Sequence, residues 1–451
     1  MSGVTAQNFD RLAKAMMQRH NVTYSRAIEL LASLRLHLIC GDEIHTSAAL
    51  QAALLTAVNS GKRAFRGGVS VEIPGEVKLR FPWPGAETLA DAVSSLGATV
   101  GVKPPLYASI LIFGETLVRE KGLRVLCDGW RAGVLPSGAR IDFEAGADFA
   151  LAGVFAGGLA VSRAFLSAAG ICNRDVTEPI GISIWKPDTH WLSPEAMGPA
   201  LALLPQKLWL LGLGHLGQAY TWTLGMLPFA EPSRTTIFLQ DFDSVEPGNW
   251  SAGLLCEANG VGKMKTRLCA DWLQTRGLQT RMIERAFDER LHRQSDEPRV
   301  ALCGFDNAES RRSLEDVGFE LIVESGLGAT LDRFDRIVLH TFPDASDKAR
   351  DIWAKNQADE STFDLSLLEE DEEECGIVLQ EIAGKSISSS FTGACASALV
   401  VGEVLRAIHG GKRRELVVLH LRDFEIPKSP HREENYQLRV ARNGIVSAAT
   451  G

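Results

Sequence analysis

Three glycines, Gly212, Gly214 and Gly217, close the apolar run LWLLGLG at 208–214 and open a helical stretch. Set between a strand and a helix, they permit a tight turn and let backbone amides approach phosphate oxygens. The helix N-terminus adds unpaired N–H groups and the positive end of its dipole. Asp241 and Asp243 end the next run, TTIFLQD, about 25 residues past the glycines, a little beyond the usual spacing of a ribose-binding acid. This much serves NAD as well as ATP. A second chemistry is carried by Cys375, which alone among the eight cysteines stands in a strongly hydrophilic loop, SLLEEDEEECG. Thiol chemistry needs such exposure, although Glu372, Glu373 and Glu374 raise the thiol pKa.

Elements that could position these residues follow from periodicity. In the C-terminal half, the runs at 208–214, 235–241, 300–306, 321–327 and 336–342 alternate with helical stretches, which implies βαβ units. The predicted fold class is α/β with two Rossmann-like domains and a mostly parallel, doubly wound sheet in the C-terminal one. The N-terminal half has the same texture in LRLHLICGDE, YASILIFGE and LRVLCDGW. Two helices rich in small residues, at 151–170 and 391–411, close the two halves and read as a degenerate duplication. The duplicate lacks the phosphate equipment, because its first strand ends in Cys40-Gly41-Asp42-Glu43, whose acids repel phosphate. The expected division is an inactive domain over 1–172, a connector over 173–205 and an active domain over 206–451, with the cysteine loop near 360–390.

Bulk properties narrow the class. A chain of 451 residues exceeds one ordinary core, and 45% apolar with 23% charged residues is a globular composition. A net charge of −9 argues against nucleic-acid partners. The longest apolar run, Phe149 to Val161, is too short to span a bilayer, and the N-terminus lacks an apolar signal core. No two cysteines form a C-x-x-C pair, so no zinc is expected, and scattered thiols fit a cytoplasmic protein.

The ordered series GLGHLG…LQDFDSVEPGN…GVGKMKT…CGFDNAESR resembles the nucleotide core of the ThiF/MoeB/ubiquitin-activating superfamily. The resemblance implies that Asp243 holds the ribose, that Asn249 lies near the phosphates and that Lys265 contacts phosphate, with Lys263 a close competitor for that role. It further implies that Asp306, with Asn307 beside it, binds magnesium, and that Arg311 belongs to the same catalytic set. The chemistry agrees: attack of a carboxylate on the α-phosphorus of ATP needs a cation and Mg2+, whereas hydride transfer needs neither. Glu374-Cys375-Gly376 and the helix beyond it resemble the catalytic-cysteine region of bacterial ubiquitin-like activators, of a type linked to phage defence. The implied partners are a ubiquitin-like protein and a conjugating enzyme, with a homodimer also open. A sulfur-carrier adenylyltransferase and, further off, an NAD-dependent oxidoreductase are the alternatives. Two positions depart from the family pattern: His215 stands at a glycine and Ala252 at an arginine. Arg63 and Arg66 are candidates to replace that arginine, and Cys256 is the alternative to Cys375 as nucleophile.

Overall fold

The apolar runs form two seven-stranded sheets with the same strand order. In the computed structural model, residues 5, 7–116, 121–139, 141, 147–172, 176–288, 290–344, 348–355, 384–424, 431–432 and 444–449 are described. The first sheet comprises β1 (Leu36–Cys40), β2 (Val69–Glu72), β3 (Thr99–Val100), β4 (Ser109–Phe113), β5 (Leu123–Asp128), β6 (Arg131–Pro136) and β7 (Ile180–Ser183), in the order β3-β2-β1-β4-β5-β6-β7. The second comprises β8 (Lys207–Leu211), β9 (Thr236–Gln240), β10 (Gln279–Ile283), β11 (Val300–Cys303), β12 (Leu321–Leu327), β13 (Arg336–Phe342) and β14 (Leu416–His420), in the order β10-β9-β8-β11-β12-β13-β14. In each sheet the first five strands of this order pair in parallel and the last two add antiparallel. The fold class expected from the sequence is therefore present, and the duplication extends to the full topology.

Ten helices are used below. They are α1 (Arg11–His20), α2 (Tyr24–Ser33), α3 (Ala48–Ala64), α4 (Leu89–Ser95), α5 (Ala150–Ala168), α6 (His215–Leu224), α7 (Lys265–Gln274), α8 (Ala308–Arg312), α9 (Ala349–Lys355) and α10 (Ser390–Ile408). Helices α3 and α6 follow the corresponding central strands, while α5 and α10 each precede the last strand of their sheet. These four helices meet between the sheets, and one continuous apolar core runs through both halves. That position explains why α5 and α10 are apolar all round. Both are long and apolar enough to cross a membrane, yet 94% and 100% of their apolar windows are buried inside the protein.

Small residues let the helix backbones approach. A Cβ on Gly157 of α5 would collide with the Ala53 carbonyl of α3, and one on Gly158 would come within 2.9 Å of the Phe391 carbonyl of α10. Gly157→Leu must therefore push α3 and α5 apart. The expected loss is about 1–3 kcal/mol, the usual cost of overpacking, read as a lower midpoint in denaturant unfolding.

One segment differs from the sequence reading. Ile180–Ser183, inside the expected connector, is β7 and pairs antiparallel with β6. Its four residues are too few for periodicity to announce a strand among prolines, and their pairing is supplied by the neighbour. In the first sheet one of the two acids after Gly41 is built in. Glu43 accepts the Glu115 amide at 3.0 Å, and Glu115 in turn pairs with Arg124 at 2.6 Å. The Glu43 carboxylate thus already takes up the Glu115 amide beside the end of β1.

Candidate functional site

The glycine loop joins β8 to α6 and shows why each glycine is there. Gly212 has φ +78°, and a Cβ on it would lie 2.8 Å from the Phe305 ring. A Cβ on Gly217 would strike the Gly212 carbonyl. At Gly214 a Cβ would meet no protein atom within 4 Å, so this glycine faces open space. Gly214 also caps α6 without a side-chain hydrogen bond, which leaves first-turn amides for a ligand.

Above the loop lies a cleft of about 1370 Å³. Gly212, Gly214, Asp241, Asp243, Asn249, Lys265, Asp306, Asn307 and Arg311 all border it, so the structure gathers these sequence-selected residues around one cavity. Gly217 supports it from the first turn of α6.

The two acids after β9 divide their work. Asp241 is buried and accepts the amides of Leu213 (2.5 Å) and Asp243 (2.8 Å), so it braces the glycine loop. Asp243 is exposed and pairs with Lys265 Nζ at 2.8 Å. Burial penalises the Lys265 ammonium, but the Asp243 hydrogen bond and the charges of Asp241, Asp243 and Asp306 outweigh it and raise its pKa. Lys265 is therefore charged at any physiological pH. Lys263 pairs instead with Asp271, away from the cleft. Asn249 accepts the Glu246 amide at 3.0 Å and holds the turn Pro247–Ser251.

Asp306 and Asn307 sit in the turn between β11 and α8. Asn307 caps α8 by accepting the Ser310 amide at 2.7 Å. Asp306 is exposed at the cleft and makes no hydrogen bond or ion pair among the described residues, while its charge acts on Lys265 and Arg11. Arg311 behaves differently from a phosphate ligand. Its Nε donates to the Phe305 carbonyl at 2.9 Å, its Nη1 pairs with Glu324 at 3.0 Å, and its guanidinium lies 4.3 Å over the Trp353 ring.

The arginine missing at Ala252 is supplied from the N-terminal segment by neither expected residue. Arg63 is fully buried and donates to the carbonyls of Gly253 (3.1 Å), Leu254 (3.2 Å) and Cys256 (3.0 Å). Arg66 pairs with Asp10 and stacks on Trp250. Asp10 caps α1 by accepting the Leu12 and Ala13 amides at 2.8 and 2.9 Å. The next residue, Arg11, donates its amide to Ser251 Oγ at 3.2 Å and brings its side chain to the cleft. Burial lowers the Arg11 pKa, with Asp306 and Glu246 opposing. The sequence signal was Asp10 before an amphipathic stretch with arginine at its first helical position. Phe242 was also missed; it borders the cleft with 62% exposure and offers an apolar face between the two acids.

His215 starts α6, and its Nε2 is enclosed without a hydrogen-bond partner among the described residues. Burial pushes its pKa down to about 4 against the Ser389 backbone, so it is neutral near pH 7. Cys375 lies outside the described residues. Cys256 is buried against Gln218, its Sγ 3.2 Å from Oε1, and burial raises its pKa.

Residues 35–184 match the family model of the BilD N-terminal domain, and 204–411 that of the BilD C-terminal domain. The chain is 38% identical to the bacterial E1-like protein BilD of Collimonas sp. (strain OK412) over 418 residues, 90% of each chain. Likenesses among solved structures are distant. E. coli MccB with ATP aligns with TM-score 0.33 at 16% identity over 50% of this chain and 63%, under two thirds, of that one. The E. coli tRNA N6-threonylcarbamoyladenosine dehydratase TcdA aligns with TM-score 0.29 at 14% identity over 45% of this chain and 84% of that one.

Proposed function

Since this chain belongs to the BilD family of bacterial E1-like proteins, we propose that it activates a ubiquitin-like protein with ATP. The observation that carries the reading is the convergence of Lys265, Arg11 and Asp306 on one cleft above an open helix N-terminus. The C-terminal carboxylate of the partner attacks the α-phosphorus of ATP, the bond to the β,γ-diphosphate breaks, and an acyl adenylate and pyrophosphate form. Glycine-loop amides receive phosphate oxygens, Asp243 receives the ribose, and Lys265 and Arg11 balance the charge that develops as pyrophosphate leaves.

Among the described residues, no cluster of three or more His, Cys, Asp or Glu could hold a metal. Magnesium requires no such cage, since one or two carboxylates and substrate phosphates suffice. Asp306, unpaired among the described residues and bordering the cleft, fits that need. Bound there, Mg2+ would neutralise phosphate charge. The N-terminal domain is assigned a supporting role: it delivers Arg11 and has a carboxylate in place of an anion site.

A thioester on Cys375 and its passage to a conjugating enzyme complete the proposed sequence. The test is exchange of labelled pyrophosphate into ATP, stimulated by the cognate ubiquitin-like protein. Lys265→Ala and Arg11→Ala should each slow exchange by about 10²–10³-fold, as for one preorganised charge stabiliser. Partner-independent nicotinamide reduction with no exchange would overturn the reading.

A further inference from the structure

We infer that Glu324 and His340 are positioning residues for Asp306 and act on it through Arg311. The inference rests on the adenylation reading of the cleft. Asp306 stands in a turn of four residues, Gly304 to Asn307, so its aim depends on backbone that side chains must fix. The Gly304 amide donates to the Leu211 carbonyl at 2.8 Å, and Asn307 caps α8. Between these anchors the Phe305 carbonyl is held by Arg311, which reaches back across six residues with Nε at 2.9 Å and with Nη2.

What holds Arg311 lies on strands remote in sequence. Glu324 on β12 is fully buried; one carboxylate oxygen forms an ion pair with Arg311 Nη1 at 3.0 Å, without hydrogen-bond geometry, and the other accepts from His340 Nδ1 at 2.9 Å. The antiparallel register of β12 and β13 places Glu324 opposite His340. Trp353 covers the guanidinium at 4.3 Å and meets the His340 ring edge-on at 5.8 Å. If Arg311 swung out to a phosphate, a buried carboxylate would lose its cation, which is strongly unfavourable. The geometry therefore commits Arg311 to the Phe305 carbonyl, and with it the turn that carries Asp306. A carboxylate buried among β-strands would otherwise be an unrewarded cost at this place.

Metal affinity reads this out more directly than activity does. Manganese, followed by electron paramagnetic resonance on the full chain with ATP present, is the probe. Glu324→Gln keeps the volume but removes the charge that retains Arg311. Manganese affinity should fall by about 10–100-fold, the usual loss when a residue orienting a metal ligand is removed, while AMP binding without metal stays unchanged. His340→Ala should act in the same direction. His340→Asn should restore affinity, because its amide nitrogen can donate from the place of Nδ1; a residue needed only for packing would show no such rescue. Unaltered manganese affinity in folded Glu324→Gln would overturn the inference. Should that variant not fold, equal affinity in the two His340 variants would overturn it instead. Unaltered affinity in Asp306→Ala would remove the adenylation reading itself, a separate outcome.

Discussion

Asp306→Ala should reduce partner-dependent ATP–pyrophosphate exchange to background while leaving the fold intact. The side chain is exposed and takes part in no hydrogen bond or ion pair among the described residues, so its removal strands no partner. Its neighbour Asn307, not Asp306, caps α8, and therefore the turn should persist. What vanishes is a carboxylate that borders the cleft with no hydrogen bond or ion pair among the described residues and is proposed to hold a cation against substrate phosphates. Loss of a metal anchor and of the charge balance it gives the leaving group removes several kcal/mol of transition-state stabilisation. Asp306→Asn separates the terms: it keeps size and polarity but cannot supply the anion, so it should be almost as inactive. Exchange at the parent rate in either variant, with an unchanged melting profile, would take Asp306 out of the mechanism.

Legibility in the sequence followed locality. The glycine loop, the acids after β9 and Asp306 each lie within a few residues of a strand end, and strand ends announce themselves as apolar runs closed by glycine or acid, while Lys265 opens α7 behind the glycine-bearing turn GVGKM. Their convergence was expected because parallel strands place their C-terminal ends on one edge of a sheet. Arg11 was hidden for the opposite reason. Its place depends on Asp10 pairing with Arg66 and on Ser251 receiving its amide, contacts between 56 and 240 residues apart in the chain. Arg63 and Arg66, the expected candidates, do not border the cleft; they bond instead to the 253–256 loop and to Asp10 at the start of the helix that brings Arg11 to it. Glu324 and His340 were likewise unreadable, since they meet only through the register of β12 on β13. The acids after Gly41 read in the sequence as hostile to phosphate, and in the structure one of them, Glu43, accepts the Glu115 amide.

Cys375→Ala should still form the adenylate but lose the reducible covalent adduct with the ubiquitin-like protein. The two half-reactions use different groups: the cleft residues serve the first, and the second needs only a thiolate that attacks the acyl carbon and expels AMP. Elimination among six of the seven described cysteines supports this choice, while the seventh, Cys172, is half-buried and burial does not eliminate it. Cys269 and Cys303 are pushed up to about 12 by burial, and burial likewise raises Cys40, Cys127, Cys256 and Cys395. A thiol with a raised pKa is a poor source of thiolate near neutral pH. Cys256 has the further handicap of enclosure against Gln218, at 1% exposure. The acidic run before Cys375 opposes its ionisation, so alkylation in the free protein should be slow and should change when ATP and partner are added. Non-reducing electrophoresis after incubation with ATP and the partner decides the matter. A dithiothreitol-sensitive band in the parent and none in Cys375→Ala, with equal pyrophosphate exchange, is the expected result. A band that survives the substitution would assign the thioester to another cysteine, and a parent that adenylates without forming any band would favour the sulfur-carrier type of activation.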